Sequence, residues 1–137
     1  MESILVRDVM DASIVPLRPE TSLSDAVDRI TSSHHLGLPV MDENHVLIGF
    51  LSEQDCIKYV ISGSYYADSL IRVGDIMRTD PLSVGANEQI LSLAEKMQTS
   101  RPKTYPVCED GKLVGMVTRS AVIRALNDKL KTTKIAI

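Results

Sequence analysis

Ser52 and Asp55 follow directly on an apolar run, in the stretch GFLSEQDCI at residues 49–57. One interpretation is structural, because a Ser followed three residues later by an acid is the pattern of a capping box at the start of a helix. The other is chemical, because a hydroxyl and a carboxylate side by side can hold the hydroxyl groups of a ligand. The pair alone leaves both interpretations open.

The surroundings of this pair occur twice in the chain. Residues 6–10 (VRDVM) resemble residues 73–77 (VGDIM), and the LPV at 38–40 resembles the YPV at 105–107. Two sets of apolar positions also correspond: Leu23, Ala26, Val27 and Ile30 in one copy, and Ile90, Leu93, Ala94 and Met97 in the other. Both sets have the i, i+3, i+4, i+7 spacing of one helix face. The sequence therefore predicts an internal repeat.

Each copy shows the same order of elements. A short Val/Ile/Met segment precedes an extended piece, at residues 14–17 or 81–84, where prolines disfavour a helix. An amphipathic helix follows, with Thr21, Ser22 or Asn87 as candidate N-caps. A hairpin comes next, pairing 38–41 with 46–51 or 105–108 with 113–118, and Asp110-Gly111 suits its turn. The last element is a helix, at 53–61 or 119–130. The predicted fold is α+β, with two β-α-β-β-α repeats.

The predicted boundaries are residues 1–61 for the first repeat, 62–71 for a linker, 72–130 for the second repeat and 131–137 for a tail without assigned structure. A repeat of about 60 residues is marginal alone, and its helices leave one face of the sheet uncovered. We therefore expect the repeats to pack sheet against sheet about an approximate two-fold axis. Such packing creates two clefts, and clefts of this kind are common ligand sites.

Composition limits the classes of function. The 137 residues are 44% hydrophobic but contain one Phe, four Tyr and no Trp, so the core must be aliphatic. A net charge of −3 argues against nucleic acid as a partner. No apolar run is long enough for a membrane span, and no signal peptide is visible at the N-terminus. Cys56 and Cys108 lack C-x-x-C spacing and are expected to be buried free thiols in a reducing, cytoplasmic setting.

The sequence offers no constellation for catalysis. His34, His35 and His45 have no recognised metal-binding spacing. The phosphate-loop, dinucleotide and G-x-S-x-G patterns are all missing. We therefore expect no enzyme activity, no metal site and no required cofactor.

Taken together, the duplicated motifs resemble a tandem pair of cystathionine β-synthase (CBS) domains, a stand-alone Bateman module, over about residues 4 to 130. The resemblance implies a sensor that binds adenosine-containing ligands (AMP, ADP, ATP or S-adenosylmethionine) in clefts between the repeats. It also implies a homodimer that passes the signal to an effector protein. A ligand-free scaffold for dimerisation or docking is the alternative, and Ala121 favours it.

The resemblance implies that Ser52 and Asp55 hold the ribose hydroxyls, since a carboxylate offers two acceptor oxygens to a diol that presents two donors. Capping and binding are compatible, because one geometry can serve both. In the second copy Thr118 keeps the hydroxyl, but Ala121 stands in the place of the aspartate. We therefore expect the second cleft to be empty, weaker or adapted to another ligand.

The remaining site residues also follow from the resemblance. Adenine would lie near Ile14 to Pro16 and near the turn Gly37-Leu38-Pro39, where Gly37 would let a ring approach the backbone. Gly37 and Pro39 equally suit an ordinary strand entry. In the second copy Tyr105-Pro106 occupies the matching place, and Tyr105 would either stack on a base or pack in the strand. Phosphate needs cations, and the candidates by charge and position are His34, His35, Arg101, Lys103 and Arg119. Arg119 is preferred because an anion would offset its place at a helix N-terminus, and a solvated surface arginine is the alternative.

Overall fold

A computed structural model of the chain describes residues 3–63, 71–99 and 102–136. Its helices are α1 (Val6–Val9), α2 (Leu23–Ser32), α3 (Glu53–Ser62), α4 (Val73–Ile76), α5 (Ile90–Thr99) and α6 (Arg119–Ala136). Its strands are β1 (Gly37–Met41), β2 (Leu47–Ser52), β3 (Arg78–Thr79), β4 (Val84–Gly85), β5 (Thr104–Glu109) and β6 (Lys112–Thr118). The chain divides into a continuous unit, Ile14–Pro81, and a discontinuous unit made of residues 1–13 and 82–137.

The continuous unit is built on the hairpin of β1 and β2. The two strands are antiparallel, and β3 adds to the other edge of β2, also antiparallel. Leu17 makes a parallel bridge to Val40 on the outer side of β1. The core residues of this unit are aliphatic, as the composition predicted, and include Leu17, Leu23, Ile30, Leu38, Val40, Leu51 and Val73.

The discontinuous unit repeats this plan with a hairpin of β5 and β6. Here β4 pairs in parallel with β5, giving a three-stranded sheet in the order β4-β5-β6. Its core includes Val6, Val84, Ile90, Leu93, Tyr105, Val107, Val117 and Val122. Val6 comes from the start of the chain, so this core depends on two distant segments.

The opening segment of each repeat belongs to the unit that is built on the hairpin of the other repeat. The backbone N–H of Val6 donates to the carbonyl of Glu88 at 2.8 Å, and the N–H of Val73 donates in the same way to Thr21 at 2.9 Å. Each opening segment therefore packs beside elements of the other repeat. The predicted repeat boundaries describe the order along the chain and stay predictions, as does the packing of sheet against sheet.

Two glycines make room for the exchanged segments. A Cβ on Gly115 would lie 2.8 Å from the carbonyl oxygen of Asp11. A Cβ on Gly49 would lie 2.9 Å from the carbonyl oxygen of Arg78. Both contacts are to backbone atoms, which cannot move aside cheaply. The equivalent hairpin strands β2 and β6 therefore need glycine where a neighbouring segment crosses them.

The α+β class, both hairpins and the four longer helices are confirmed. Asp110 and Gly111 have φ values of 52° and 78°, as a two-residue turn of the predicted kind requires. The opening VRDVM and VGDIM motifs begin with a helical turn rather than a strand, and the bridge or strand follows at Asp11 and Arg78.

Other details of the sequence-based assignment also differ. Ser22 caps α2, accepting from the N–H of Asp25 at 3.2 Å. Asn87 is not the cap of α5, which starts at Ile90; its side chain accepts instead from Arg7. Helix α6 continues to Ala136, so most of the predicted tail is helical. Residues 64–70 of the predicted linker lie outside the described residues.

Candidate functional site

Ser52 and Asp55 form the capping box that starts α3. The Oγ of Ser52 accepts from the backbone N–H of Asp55 at 3.1 Å, and the backbone N–H of Ser52 donates to Oδ2 of Asp55 at 3.1 Å. The Ser52 hydroxyl also donates to Oδ2 at 2.8 Å. The structural interpretation of GFLSEQDCI is therefore confirmed, and the cap fixes the position of the Asp55 carboxylate.

Arg78 makes a second set of contacts with this carboxylate. Its Nε lies 3.1 Å from Oδ1 and 3.2 Å from Oδ2 of Asp55, and its Nη2 lies 3.0 Å from Oδ1. Strand β3 brings it there, because Arg78 pairs with Phe50 in β2. The side chain of Arg78 is 66% exposed and that of Asp55 is 16% exposed. Sequence reasoning missed Arg78; its signal was a cation directly after the repeated VGDIM motif.

These contacts set the charge of Asp55. Burial raises the pKa of the Asp55 carboxyl, but hydrogen bonds from Arg78 and Ser52 outweigh burial and hold the pKa below its ordinary value of 3.8. The same pair raises the pKa of Arg78. At neutral pH Asp55 is thus an ionised acceptor at the N-terminus of α3, where the helix dipole also favours negative charge.

The predicted adenine-side residues of the first copy lie in the same unit as Ser52 and Asp55. Gly37 pairs with Ser52 across the β1–β2 hairpin, and Leu38 and Pro39 follow it in β1, buried. Ile14 and Pro16, both partly buried, belong to the extended segment before Leu17. The N–H of Leu17 donates to the carbonyl of Pro39 at 2.9 Å, which fixes that segment beside β1.

Packing already accounts for the glycine at position 37. A Cβ there would lie 2.7 Å from the carbonyl oxygen of Leu51 and 2.8 Å from Cα of Ser52. Both are backbone atoms of β2, so the hairpin requires glycine whether or not a ring lies nearby. The ligand roles of Gly37, Leu38 and Pro39 stay predictions.

An open cavity of about 240 Å³ adjoins Asp55, on the side where α3 meets the end of α4. Its lining residues are Gln54, Asp55, Lys58, Tyr59 and Ile76. The ammonium of Lys58 lies 5.1 Å from the ring centroid of Tyr59, a cation–π distance. The cavity thus combines the Asp55 carboxylate and the Gln54 amide with a cation held over the Tyr59 ring, at less than the volume of a typical ligand pocket.

The equivalent place in the discontinuous unit has different charges. Thr118 caps α6 by accepting from the N–H of Ala121 at 3.1 Å, but Ala121 brings no carboxylate. Asp11 occupies the position of Arg78 in the repeat, and it pairs with the backbone of Met116 as Arg78 pairs with Phe50. The acidic Asp11 therefore replaces the basic Arg78. The methyl group of Ala121 replaces the carboxylate of Asp55.

The second-copy candidates have structural partners. Tyr105 and Pro106 are buried in β5, and Tyr105 belongs to the core of the discontinuous unit. Arg119 is exposed at the start of α6, and its backbone N–H donates to the carbonyl of Lys103 at 2.8 Å. The ligand roles of Tyr105, Pro106, Thr118 and Arg119 stay predictions.

The other candidate phosphate partners are spread over both units. His34 and His35 lie in the turn before β1, where His34 has a φ of 66°. Lys103 is exposed just before β5. Arg101 lies outside the described residues.

Neither cysteine forms a disulfide. Cys56 is buried beside Asp55, as predicted, and burial, reinforced by the charges of Asp55 and Glu53, raises the pKa of its thiol to about 11. Cys108 is only partly buried, against the prediction, because it lies near the end of β5; burial still raises the pKa of its thiol. Protonated thiols are poor nucleophiles.

No helix in the part of the chain that the structure describes combines the length and the apolar character that crossing a bilayer requires. No three His, Cys, Asp or Glu side chains in residues 3–63, 71–99 and 102–136 come together in a way that could hold a metal ion.

Comparison with known proteins places these features in a family. The model of the CBS domain matches twice, at residues 6–62 and 73–128. Methylated protein MJ0556 of Methanocaldococcus jannaschii is 29% identical over 140 residues, covering 95% of this chain and 78% of the relative. The chloroplastic CBS domain-containing protein CBSX2 of Arabidopsis thaliana is 30% identical over 135 residues, covering 80% of this chain and 57% of the relative.

Solved structures show the same fold. The crystal structure of CBSX2 in complex with AMP has a TM-score of 0.76 at 30% identity, covering 90% of this chain and 96% of that one. A protein described as a putative acetoin utilization protein, AcuB from Vibrio cholerae, has a TM-score of 0.82 at 26% identity, covering 97% of each chain.

Proposed function

The chain belongs to the CBS-domain family, and we propose that it is a regulatory module that binds an adenosine-containing ligand without catalysis of its own. The observation that carries the proposal is the ionised carboxylate of Asp55, held by Ser52 at the start of α3. A diol donates two hydrogen bonds, and a charged acceptor makes such bonds stronger. The complex of CBSX2 with AMP, at 30% identity, supports the same ligand class.

The two units are not equivalent in this proposal. The continuous unit has the acceptor at Asp55, whereas the discontinuous unit has Ala121. Titration calorimetry with AMP, ADP, ATP and S-adenosylmethionine tests this difference. We expect one clearly tighter site per chain for at least one of these ligands. Two equal sites would show that the Asp55 carboxylate does not determine affinity.

The absence of catalysis is a separate part of the proposal. The buried, protonated thiol of Cys56 is the nucleophile-bearing side chain nearest to Asp55 in sequence, and its high pKa makes it unreactive. Incubation with AMP, ATP or S-adenosylmethionine should leave each ligand intact by chromatography. Turnover that follows the protein peak through further purification would contradict this part.

A ligand-free interaction module is the second candidate, and one observation favours it. Ser52 and Arg78 already supply partners to the Asp55 carboxylate, and packing against β2 explains Gly37. If none of the four adenosyl ligands binds the native protein at millimolar concentration, this candidate replaces the first.

We further propose that the module assembles with a second copy of itself and signals to an effector protein. Apolar side chains are exposed at equivalent positions of both repeats: Ile57 and Ile123 are 54% and 65% exposed, and Val15 and Leu82 are 64% and 63% exposed. Exposed apolar positions that recur in both copies fit a symmetric interface. Light scattering at micromolar concentration should give twice the chain mass. The double variant Ile57→Glu with Ile123→Glu should have the mass of a single chain.

A further inference from the structure

Resting on the proposed function, we propose that Arg78 competes with the ligand's ribose for Asp55 and thereby selects ligands that carry an anionic group over neutral nucleosides. In this proposal Arg78 is a specificity-determining residue. Without a ligand it neutralises the acceptor, and with a nucleotide its guanidinium moves to the phosphate.

The competition follows from the geometry of the carboxylate. An ionised carboxylate has about four lone-pair positions. Oδ2 of Asp55 receives the backbone N–H and the hydroxyl of Ser52 at 3.1 and 2.8 Å. Nε of Arg78 lies within 3.2 Å of both oxygens, and its Nη2 lies 3.0 Å from Oδ1. A diol therefore gains two acceptor positions only when the guanidinium withdraws.

The two partners of Asp55 differ in how easily they can leave. The bonds from Ser52 belong to the start of α3, so their loss would weaken the first turn of that helix. Arg78 makes its contact with a long side chain that is 66% exposed. Ion pairs in such settings contribute little to stability, because water replaces the lost contact. Ribose binding should thus displace Arg78 and leave the cap in place.

The backbone of Arg78 keeps the released guanidinium near the site. Arg78 pairs with Phe50, and its neighbour Thr79 pairs with Gly49, so β3 stays attached to β2 while the side chain turns. A guanidinium freed beside a bound ribose needs a new anion. Phosphate matches its planar fork with two parallel hydrogen bonds. A nucleoside supplies no such anion, so its binding leaves Arg78 without a partner.

The discontinuous unit lacks counterparts of both the Asp55 acceptor and the Arg78 cation. Ala121 removes the acceptor, and the cation is replaced by Asp11, whose Oδ1 accepts from the N–H and hydroxyl of Ser13 at 2.9 and 2.6 Å. An acid at that place repels phosphate. The selection between nucleotides and nucleosides therefore belongs to the continuous unit alone.

The test is calorimetric titration of adenosine and AMP into the native protein, Arg78→Gln and Lys58→Gln. Lys58 lines the cavity beside Asp55, so Lys58→Gln removes the same charge from the same neighbourhood. In Arg78→Gln we expect adenosine to bind about two- to fivefold more tightly, the range for losing an exposed ion pair. AMP should bind more weakly, so the preference for AMP over adenosine should fall about tenfold. Lys58→Gln should keep most of the preference and should not improve adenosine binding.

The outcomes separate the two proposals. If the native protein binds AMP and Arg78→Gln keeps the same preference for AMP over adenosine, the role of Arg78 is overturned and the proposed function stays intact. Equal losses of preference in Arg78→Gln and Lys58→Gln also overturn it, because general electrostatics then suffices. Binding of adenosine by Arg78→Gln alone supports the competition directly. Failure of all three proteins to bind either ligand overturns the role of Arg78, and the proposed function falls with it only if ADP, ATP and S-adenosylmethionine also fail to bind.

Discussion

Arg78 and Asp55 are 23 residues apart in sequence, and Nη2 of Arg78 lies 3.0 Å from Oδ1 of Asp55. The pair joins the last strand of the continuous unit to the first turn of α3. It gives the same carboxylate three roles: helix cap, ion-pair partner and proposed acceptor for a sugar.

Replacing Asp55 by Ala should weaken both the helix and the ligand site. The lost cap should cost about 0.5–2 kcal/mol of unfolding free energy. Lost bonds to the ribose, at about 1.5–3 kcal/mol, correspond to roughly ten- to hundredfold weaker AMP binding. Asp75→Ala is the matched control, because Oδ2 of Asp75 accepts from the backbone N–H of Arg72 at 3.0 Å at the start of α4. Asp75→Ala should be less stable in urea unfolding but should keep its AMP affinity. Equal losses of AMP affinity in both variants would mean that Asp55 acts only as a helix cap.

A 2′-deoxy nucleotide tests the sugar contact without mutation. 2′-Deoxy-AMP lacks one of the two hydroxyl donors, so the native protein should bind it more weakly than AMP in calorimetry. Asp55→Ala should discriminate much less between the two sugars, because its acceptor has gone. Equal binding of the two nucleotides by the native protein would refute the ribose role.

The ion pair between Arg78 and Asp55 should make the free energy of unfolding depend on pH. The folded pKa of Asp55 lies below its ordinary value of 3.8, so the unfolded chain takes up the proton first. The stabilisation is therefore complete above that value and is lost as pH falls through the folded pKa. Urea unfolding of the native protein and Arg78→Gln should show a stability gap near neutral pH that closes in acid. A gap that stays constant with pH would mean that the pair does not shift the carboxyl.

Gly115→Ala should destabilise the discontinuous unit. The new Cβ would lie 2.8 Å from the carbonyl oxygen of Asp11, so the opening segment would have to shift. Overpacking of this kind costs about 1–3 kcal/mol, measurable by urea unfolding. Gly85→Ala in β4 is the control, because nothing lies within 4 Å of its added Cβ. The control should change stability by less than about 0.5 kcal/mol, the range for ordinary surface substitutions.

Local patterns predicted most of the fold. The helix faces at Leu23 and Ile90, the Asp110-Gly111 turn and the cap at Ser52 each depend on residues close in sequence, so short-range rules suffice. The exchange of opening segments could not be predicted, because Val6 and Val73 have the same apolar surroundings whichever hairpin they pack beside. The internal repeat shows that Val6 and Val73 are equivalent, but it does not show which of the two hairpins each residue packs beside.

The candidate site was predictable only in part. Ser52 and Asp55 stood out by type and spacing, whereas Arg78 reaches Asp55 through β3, which depends on the exchange. The sequence is compatible with Tyr105 either stacking on a base or packing in its strand, because strand periodicity alone does not predict burial in the core. Polar contacts between distant segments depend on how the chain folds, so local sequence patterns do not predict them.

The discontinuous unit has a consequence for folding during synthesis. Residues 14–81 form a continuous unit, so all of its partners have left the ribosome once Pro81 has emerged. Val6 and Arg7, although made before this unit, donate their backbone hydrogen bonds to Glu88 and Ala86, and Val6 shares a core with the later hairpin of β5 and β6. Domains fold as units while the chain is being made. A nascent chain that has emerged only as far as Pro81 therefore presents a complete continuous unit, while Val6 and Arg7 still lack the backbone partners that follow it.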